Sequence, residues 1–353
     1  MISGLEEGMV HVPSFFISGI KYLQTYITTM KFELNKKGEI KMSKDFKGTM
    51  YVHGSKFHSD DMLCAAMGKI LGYDIVRTLD KDIVQKVKPQ DFVVDFGRVY
   101  DGVRFFDHHQ PGSPNAQECG IENRFPFAKV AAAGQFWHKY GKDVIKAIDP
   151  KVPEEVIPEI IDAVDTALIA PSDKVDTGDG ELPLGVTSLS TVVTWFNPED
   201  QDLKKFDAAF SVCLENVVLP TLKRCIEKML VKVYGREFVK AAPIVEGMVI
   251  VLDKYAPWQG TVIRTPKFDQ CLFCVYPSLR GGWNGQVIPT SPTVNNARKD
   301  FPVEWAGLTD AEFCKAAGIE QKGQGYFCHV ARFLIAAPTK EEVIKLCMKA
   351  AYA

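Results

Sequence analysis

The chain has 353 residues, of which 46% are hydrophobic and 24% charged, with a net charge of −2. That length exceeds one small core and favours two domains, and the composition is that of an ordinary soluble globular protein. A charge so near zero excludes a whole-molecule positive field, so a nucleic-acid partner would need a local basic groove. Residues 241–353 are only slightly the more basic part, with 12 Lys/Arg against 10 Asp/Glu.

No run reaches the ~18 consecutive apolar residues of a membrane span, so no membrane partner is expected. The opening "MISGLEEGMVHV" carries early acids and no basic region, unlike a secretory signal. Within residues 1–48, "SFFISGIKYLQTYITTM" reads as a surface helix or appendage with no assignable role. The 9 cysteines are scattered and several sit inside apolar runs, as in a reducing compartment. The expected location is therefore intracellular, the cytoplasm first, with mitochondrion or nucleus as alternatives. The single CxxC, Cys271 and Cys274 in "CLFCVYPS", has no second pair nearby and reads as a buried strand.

From residue 49 to about 200, short β-rich runs alternate with helical ones. "TMYVHG" predicts a strand, "SDDMLCAAMGKILG" a helix stopped by Gly72, and "YDIVRT" a second strand. "DFVVDFG" is a continuous apolar run suited to a buried parallel strand. "PFAKVAAAGQFWHKYG" predicts a helix ending at Gly141, and "PEEVIPEIIDAVDTALIA" another. Such alternation means an α/β domain on a parallel sheet. Residues 201–241 turn helical, with a kink expected at Pro220, and read as a connector. In 242–353, "GMVIVLD", "GTVIRT" and "QCLFCVYPS" predict strands, and "GGWNGQVIP" a glycine-rich turn entering a strand. The chain closes on "KGQGYFCHVARFLIAA" and a helix, "TKEEVIKLCMKAA", with Thr339 as cap and Glu342 at the capping-box position.

Ligand sites in α/β proteins gather at the carboxyl ends of parallel strands. Four such loops here carry acids or histidines: "VHGSKFHSDD" (His53, His58, Asp60, Asp61), "VVDFG" (Asp95), "FFDHHQPG" (Asp107, His108, His109) and "IDAVDTALIAPSD" (Asp162, Asp165). Mixed carboxylates and imidazoles suit borderline divalent cations such as Mn²⁺. A pair of such ions lowers the pKa of a shared water and clamps the oxygens of an in-line phosphoryl displacement. Each residue alone has a plain reading: acids in a first helical turn are favoured by the dipole, and a strand-end histidine is commonly a polar loop residue. Their recurrence in order, each after a buried-type run, points to a metal site.

"YVHGSKFHSDD", "DFVVDFGRVYD", "RFFDHHQ" and "IDAVD" resemble the successive motifs of the melanocyte proliferating gene family, within the Asp-His-His (DHH) phosphoesterase superfamily. "GGWNGQVIP", "NNARKDFPVEWAGLTDAEFCKAAGI" and "GYFCHVARF" are similar to that family's later blocks, so the resemblance runs from about residue 49 to the end. It implies a parallel-sheet DHH domain (49–200), a helical connector (201–241) and a smaller α/β substrate domain (242–353), with the active site in the cleft. It implies a metal-dependent 3′–5′ exonuclease acting on single-stranded RNA or short oligonucleotides. Two divalent cations are implied, Mn²⁺ ahead of Mg²⁺. The implied ligands are His53, His58, Asp60, Asp95, Asp107, His108 and Asp165, with Asp162 the fallback for the last. Asp95 would bridge the ions, and Asp95, His108 and His109 would be the catalytic set. Arg298, Lys299, His329, Gly281 and Gly282 would bind substrate phosphate, and Trp283, Trp258 or Tyr255 could stack a base. A small-substrate phosphoesterase and a non-catalytic RNA-binding protein are the alternatives, and a homodimer is allowed. The sequence departs from the family pattern at Asp61, where Glu is usual, at Arg98 in "DFGR", and at Arg332 in "HVARF".

Overall fold

The computed structural model describes residues 47–180, 187–291 and 294–353, together with the backbone of two short strands before them. Those strands, β1 (Lys31–Leu34) and β2 (Ile40–Ser43), pair antiparallel. The helix read in "SFFISGIKYLQTYITTM" lies outside the described residues.

The first sheet is parallel throughout. β3 (Thr49–His53) leads into α1 (Ser59–Leu71), which returns the chain to β4 (Asp74–Thr78). After a short α2 (Ile83–Lys86) come β5 (Phe92–Val94) and β6 (Phe105–Phe106). The order β4-β3-β5-β6 makes the chain step to one side of β3 and then cross to the other. That reversal leaves a crevice outside the carboxyl ends of β3 and β5, the usual place for a ligand in an open parallel sheet. Gly72 ends α1 as the sequence predicts, in the left-handed region (φ 88) with its amide on the carbonyls of Gly68 and Lys69.

α3 (Ala132–Ile148) differs from its prediction at both ends. It starts later than "PFAK" and runs through Gly141, because the Trp137 indole covers that position and a Cβ there would stand 3.2 Å from the ring. The next helical run is α4 (Ile157–Val164), a π-turn over Asp165–Ile169, and α5 (Ala170–Asp176). Pro171 lies in the first turn of α5 and has no N–H for the carbonyl one turn back, so the backbone widens there. α6 (Leu189–Thr194) follows. The same device recurs between α7 (Leu203–Cys213) and α8 (Leu219–Lys240), where the kink expected at Pro220 is a π-turn over Leu214–Val218.

α8 joins two cores. Leu222, Ile226 and Leu230 pack into the first core with Phe57, Met62, Phe106, Phe136 and Trp137. Val239, near its end, packs instead with Trp258, Phe268, Cys271 and Cys274. Beyond it lie β7 (Ile244–Val245) and β8 (Val249–Val251). "GTVIRT" is not a strand but α9 (Gln259–Ile263). Thr265 and Arg264 donate back to the carbonyls of Thr261 and Gly260, one turn earlier, which favours a helical turn over an extended run.

β9 (Phe273–Pro277) and β10 (Trp283–Val287) form a hairpin, and β11 (Pro289–Ser291) pairs with β12 (Val294–Ala297). α10 (Asp310–Ala317), β13 (Phe327–Cys328), β14 (Leu334–Ala337) and α11 (Lys340–Tyr352) complete the fold. The second sheet has the order β13-β14-β10-β9-β8-β7, antiparallel except for β8 with β9. Thr339 caps α11 by accepting from the Glu342 amide at 3.3 Å. Cys271 and Cys274 are fully buried, the packing role their sequence suggests.

Candidate metal centre

Three strand ends supply the heart of the site. His53 closes β3, Asp95 follows β5, and Asp107, His108 and His109 follow β6. Asp95 adopts φ 52, a left-handed conformation unusual outside glycine, while its amide stays on the Phe106 carbonyl at 2.8 Å. The chain thus turns sharply while β5 and β6 remain locked, and such strain persists where the surroundings over-determine it. His58, Asp60 and Asp61 come from the start of α1, and Asp176 from the end of α5.

Among the described residues, three sets of side chains bring ligand atoms within 4.8 Å of one another. They are Asp95, Asp107, His108 and His109; His53, His58 and Asp95; and Asp60, Asp95, His108 and Asp176. Asp95 belongs to all three. Its Oδ2 is 3.3 Å from His53 Nε2, and its Oδ1 is 3.6 Å from Nδ1 of both His108 and His109. His108 Nε2 meets Asp176 Oδ2 at 3.0 Å, and the His108 and His109 rings stack with centroids 4.2 Å apart.

The donor chemistry fits a cation. Both oxygens of Asp95, Oδ2 of Asp61 and Nδ1 of His108 are buried without a hydrogen-bond partner. A buried carboxylate left so costs several kcal/mol on the order of a lost charged hydrogen bond or more. Burial pushes the carboxyls of Asp60 and Asp95 far above the usual carboxylate range, with neighbouring acids adding to it. Burial likewise raises Asp61 to about 6. A divalent ion is what would let such acids stay charged.

The surrounding residues orient this set. Asp107 accepts from the Arg98 amide at 2.6 Å and from His109 Nδ1 at 2.7 Å. Burial works to raise the Asp107 carboxyl, but those contacts outweigh it and hold the group below its ordinary value. The Asp107 contact in turn raises His109, whose ring is about half exposed. His58 is lowered by burial, against the attraction of Asp176. Asp60 does double duty: its carboxylate accepts from the amides of Ala132 (3.0 Å) and Ala133 (2.6 Å), capping α3, which has no cap of its own. Asp61 closes a capping box by accepting from the His58 amide at 2.7 Å.

The acid expected from the fourth loop is elsewhere. Asp165 faces a buried cation of the chain, Arg124, whose Nε and Nη2 reach its two oxygens at 2.9 and 2.5 Å, while His138 Nε2 lies 3.1 Å from Oδ1. Asp162 is exposed. The acid in the cluster is Asp176, eleven positions beyond Asp165 in "SDKVD". Burial opposes ionisation of Asp165, but His138 and Arg124 win and depress it to about 2. A folded-state value below the unfolded ~3.9 gives stability that is complete above that value and lost as pH falls toward 2. The Asp165→Asn protein should therefore lose about 2 kcal/mol at pH 7, and its stability should fall less steeply between pH 4 and 2, as read by urea unfolding at each pH.

The profile of the MYG1 family, described as an uncharacterised protein family (UPF0160), matches residues 49–351. The chain belongs to the MYG1 family. It is 25% identical over 352 residues to the MYG1 protein of Saccharomyces cerevisiae, covering 89% of this chain and 98% of that one. It is 24% identical to the MYG1 protein of Dictyostelium discoideum (85% and 95% covered) and 26% identical to that of Caenorhabditis elegans (84% and 93%). Among solved structures, the pGpG-specific phosphodiesterase PggH from Vibrio cholerae aligns over 87% of this chain and 99% of its own, at 17% identity and a TM-score of 0.25. RecJ in complex with Mg²⁺ from Thermus thermophilus aligns over 87% and 49%, at 12% identity and a TM-score of 0.23. At such TM-scores the likeness says nothing about how the sites compare.

The MYG1 family match extends through the C-terminal part, but several residues expected to hold phosphate have other partners there. Arg298 Nη1 donates to the carbonyls of Phe268 (2.5 Å), Asp269 (3.2 Å) and Cys271 (2.9 Å), so this fork ties down a loop. Lys299 Nζ donates to Ala351 O at 2.9 Å, near the end of α11. Gly281 and Gly282 form the β9–β10 turn at positive φ, and a Cβ on Gly282 would fall 2.5 Å from the Ala337 carbonyl. Close packing between strands accounts for that glycine. His329 accepts the Ala331 amide at Nδ1 (3.0 Å) and packs against Phe333, with its other nitrogen not engaged by that contact. Trp258 is buried in the core, whereas Tyr255 is exposed. Of the three departures from the family pattern, Asp61 lies in the cluster described above and Arg332 bridges to Asp300 at 3.2 Å. Arg98 holds Asp107 through its amide and leaves its side chain exposed.

Proposed function

We propose that this MYG1-family chain is a metal-dependent phosphodiesterase that removes nucleotides from the 3′ end of RNA or short oligonucleotides. The observation that carries the reading is Asp95: a buried carboxylate shared by three ligand sets, with neither oxygen hydrogen-bonded. His53, His58 and Asp95 would hold one ion, and Asp60, Asp95, His108 and Asp176 a second, with Mn²⁺ ahead of Mg²⁺ for this mixed donor set. Such a pair supplies charge neutralisation on phosphate and a more acidic water.

The chain's own residues do the rest. Asp60, tied to α3, and Asp107, tied to the Arg98 amide, keep the cluster rigid before any substrate arrives. With Asp107 engaging Nδ1 of His109, the proton this ring can exchange sits at Nε2. Its half-exposed, proton-retaining imidazole is suited to donate to a departing ribose oxygen. The exposed Arg98 side chain, on the loop that supports Asp107, would be a phosphate contact in this reading.

The test is an oligoribonucleotide labelled at one end or the other, incubated with Mn²⁺ and purified protein beside Asp95→Asn. Stepwise shortening from the 3′ end, absent in the variant, is the expected result. An intact RNA under conditions where dinucleotides are cleaved would shift the reading to a small-substrate phosphoesterase. No cleavage of either by the parent would sink the phosphodiesterase reading.

A further inference from the structure

A second buried polar cluster lies beside the first and is not part of it. Arg124 is almost wholly buried and bridges Asp165 and Asp173, the latter through Nη1 to Oδ2 at 2.6 Å. Asp173 Oδ1 also accepts the Gly134 amide at 3.2 Å, in the same first turn of α3 that Asp60 caps. His138 and Asn123 complete the shell around Asp165.

The helical phase between these acids is set by the π-turn, which the Ala170 amide closes on the Asp165 carbonyl. In an unbroken helix of about 100° per residue, Asp173 would stand about 80° around from Asp165, and Asp176 only about 20°. One extra residue in the turn reverses this, bringing Asp173 to about 20° and sending Asp176 to about 80°. Only the widened helix lets one guanidinium grip Asp165 and Asp173 together. Only the widened helix turns Asp176 away from that grip and toward His108.

We propose that Arg124 is a positioning residue: by clamping Asp165 to Asp173 it holds the π-turn, and the π-turn presents Asp176 to the cation cluster. This rests on the reading of that cluster as a cation site. Lysine cannot fork to both acids, so Arg124→Lys loosens the clamp while keeping the charge.

The experiment is Mn²⁺ titration calorimetry on the full chain, with EPR of the bound ion. Arg124→Lys is expected to weaken Mn²⁺ binding about tenfold, in the range of lost supporting contacts to metal ligands, and to shift the EPR spectrum toward that of Asp176→Asn. Added to Asp176→Asn, it should weaken binding no further, because its effect runs through that carboxylate. Equal losses in both backgrounds, or parent-like binding by Arg124→Lys, overturn the proposal. Parent-like binding by Asp95→Asn as well would show that the cluster is not a cation site, which is a separate failure. If Arg124→Lys does not fold, the neutral set Arg124→Met, Asp165→Asn and Asp173→Asn replaces it, with the same expected loss and the same overturning result.

Discussion

Asp95→Asn is expected to raise the stability of the metal-free protein while greatly weakening cation binding. Asparagine tolerates the left-handed backbone at φ 52 better than alanine would, so the exchange tests the charge and not the turn. The parent buries this carboxylate among Asp60, Asp61, Asp107 and Asp176, and no N–H group among the described residues reaches either oxygen. Asparagine keeps the buried polar atoms but removes a charge from among these acids, so the metal-free protein should gain about 1–3 kcal/mol. The same change removes the one group common to all three ligand sets, so Mn²⁺ affinity should fall on the order of 100-fold or more, beyond the loss from a supporting contact. Urea unfolding in a chelator and calorimetric titration read the two effects separately. A variant no more stable than the parent would mean the carboxylate is compensated in the free protein.

Gly134→Ala is expected to cost stability although it adds only one methyl group. Helix propensity alone predicts a gain of about 1 kcal/mol for this change inside a helix. The structure predicts the opposite sign. The new Cβ would fall 1.9 Å from Asp173 Oδ2 and 2.7 Å from Val130 Cγ1. Asp173 cannot swing aside, because Arg124 holds the same oxygen and the Gly134 amide holds the other. Displacing it would leave a buried guanidinium half unpaired, at about 3 kcal/mol or more, and overpacking adds about 1–3. The net expectation is a loss of about 3 kcal/mol or more, read as a shifted urea midpoint at unchanged slope. A stabilised Gly134→Ala protein would show that Asp173 is free to move.

The sequence by itself carried the elements next to the parallel strands. Alternating β-rich and helical runs determined the α/β class, and the residue closing "TMYVH" and those just past "FVV" and "FF" named His53, Asp95, Asp107, His108 and His109. Those residues are local: each ends or follows a short buried strand, and parallel strands bring their carboxyl ends together whatever the rest of the chain does. The His58 and Asp60 positions were legible for the same reason, at the cap and first turn of a helix separated from β3 by five residues.

Tertiary structure decided what lay farther from a strand end. Asp165 and Asp176 are both acids on one helical run, and ordinary helical spacing puts them on the same face. A π-turn beside Pro171 rotates them apart, and Arg124, from a distant loop, determines which acid is spent on a salt bridge. Arg298 and Lys299 were expected at phosphate by family resemblance, and nothing local shows that backbone carbonyls 27–30 and 52 residues away already take their donors. Local order follows from the spacing of side chains along the chain. The choice among equivalent charges follows from which buried partner the fold places within hydrogen-bond reach, because an unpaired buried charge costs more than any local preference can return.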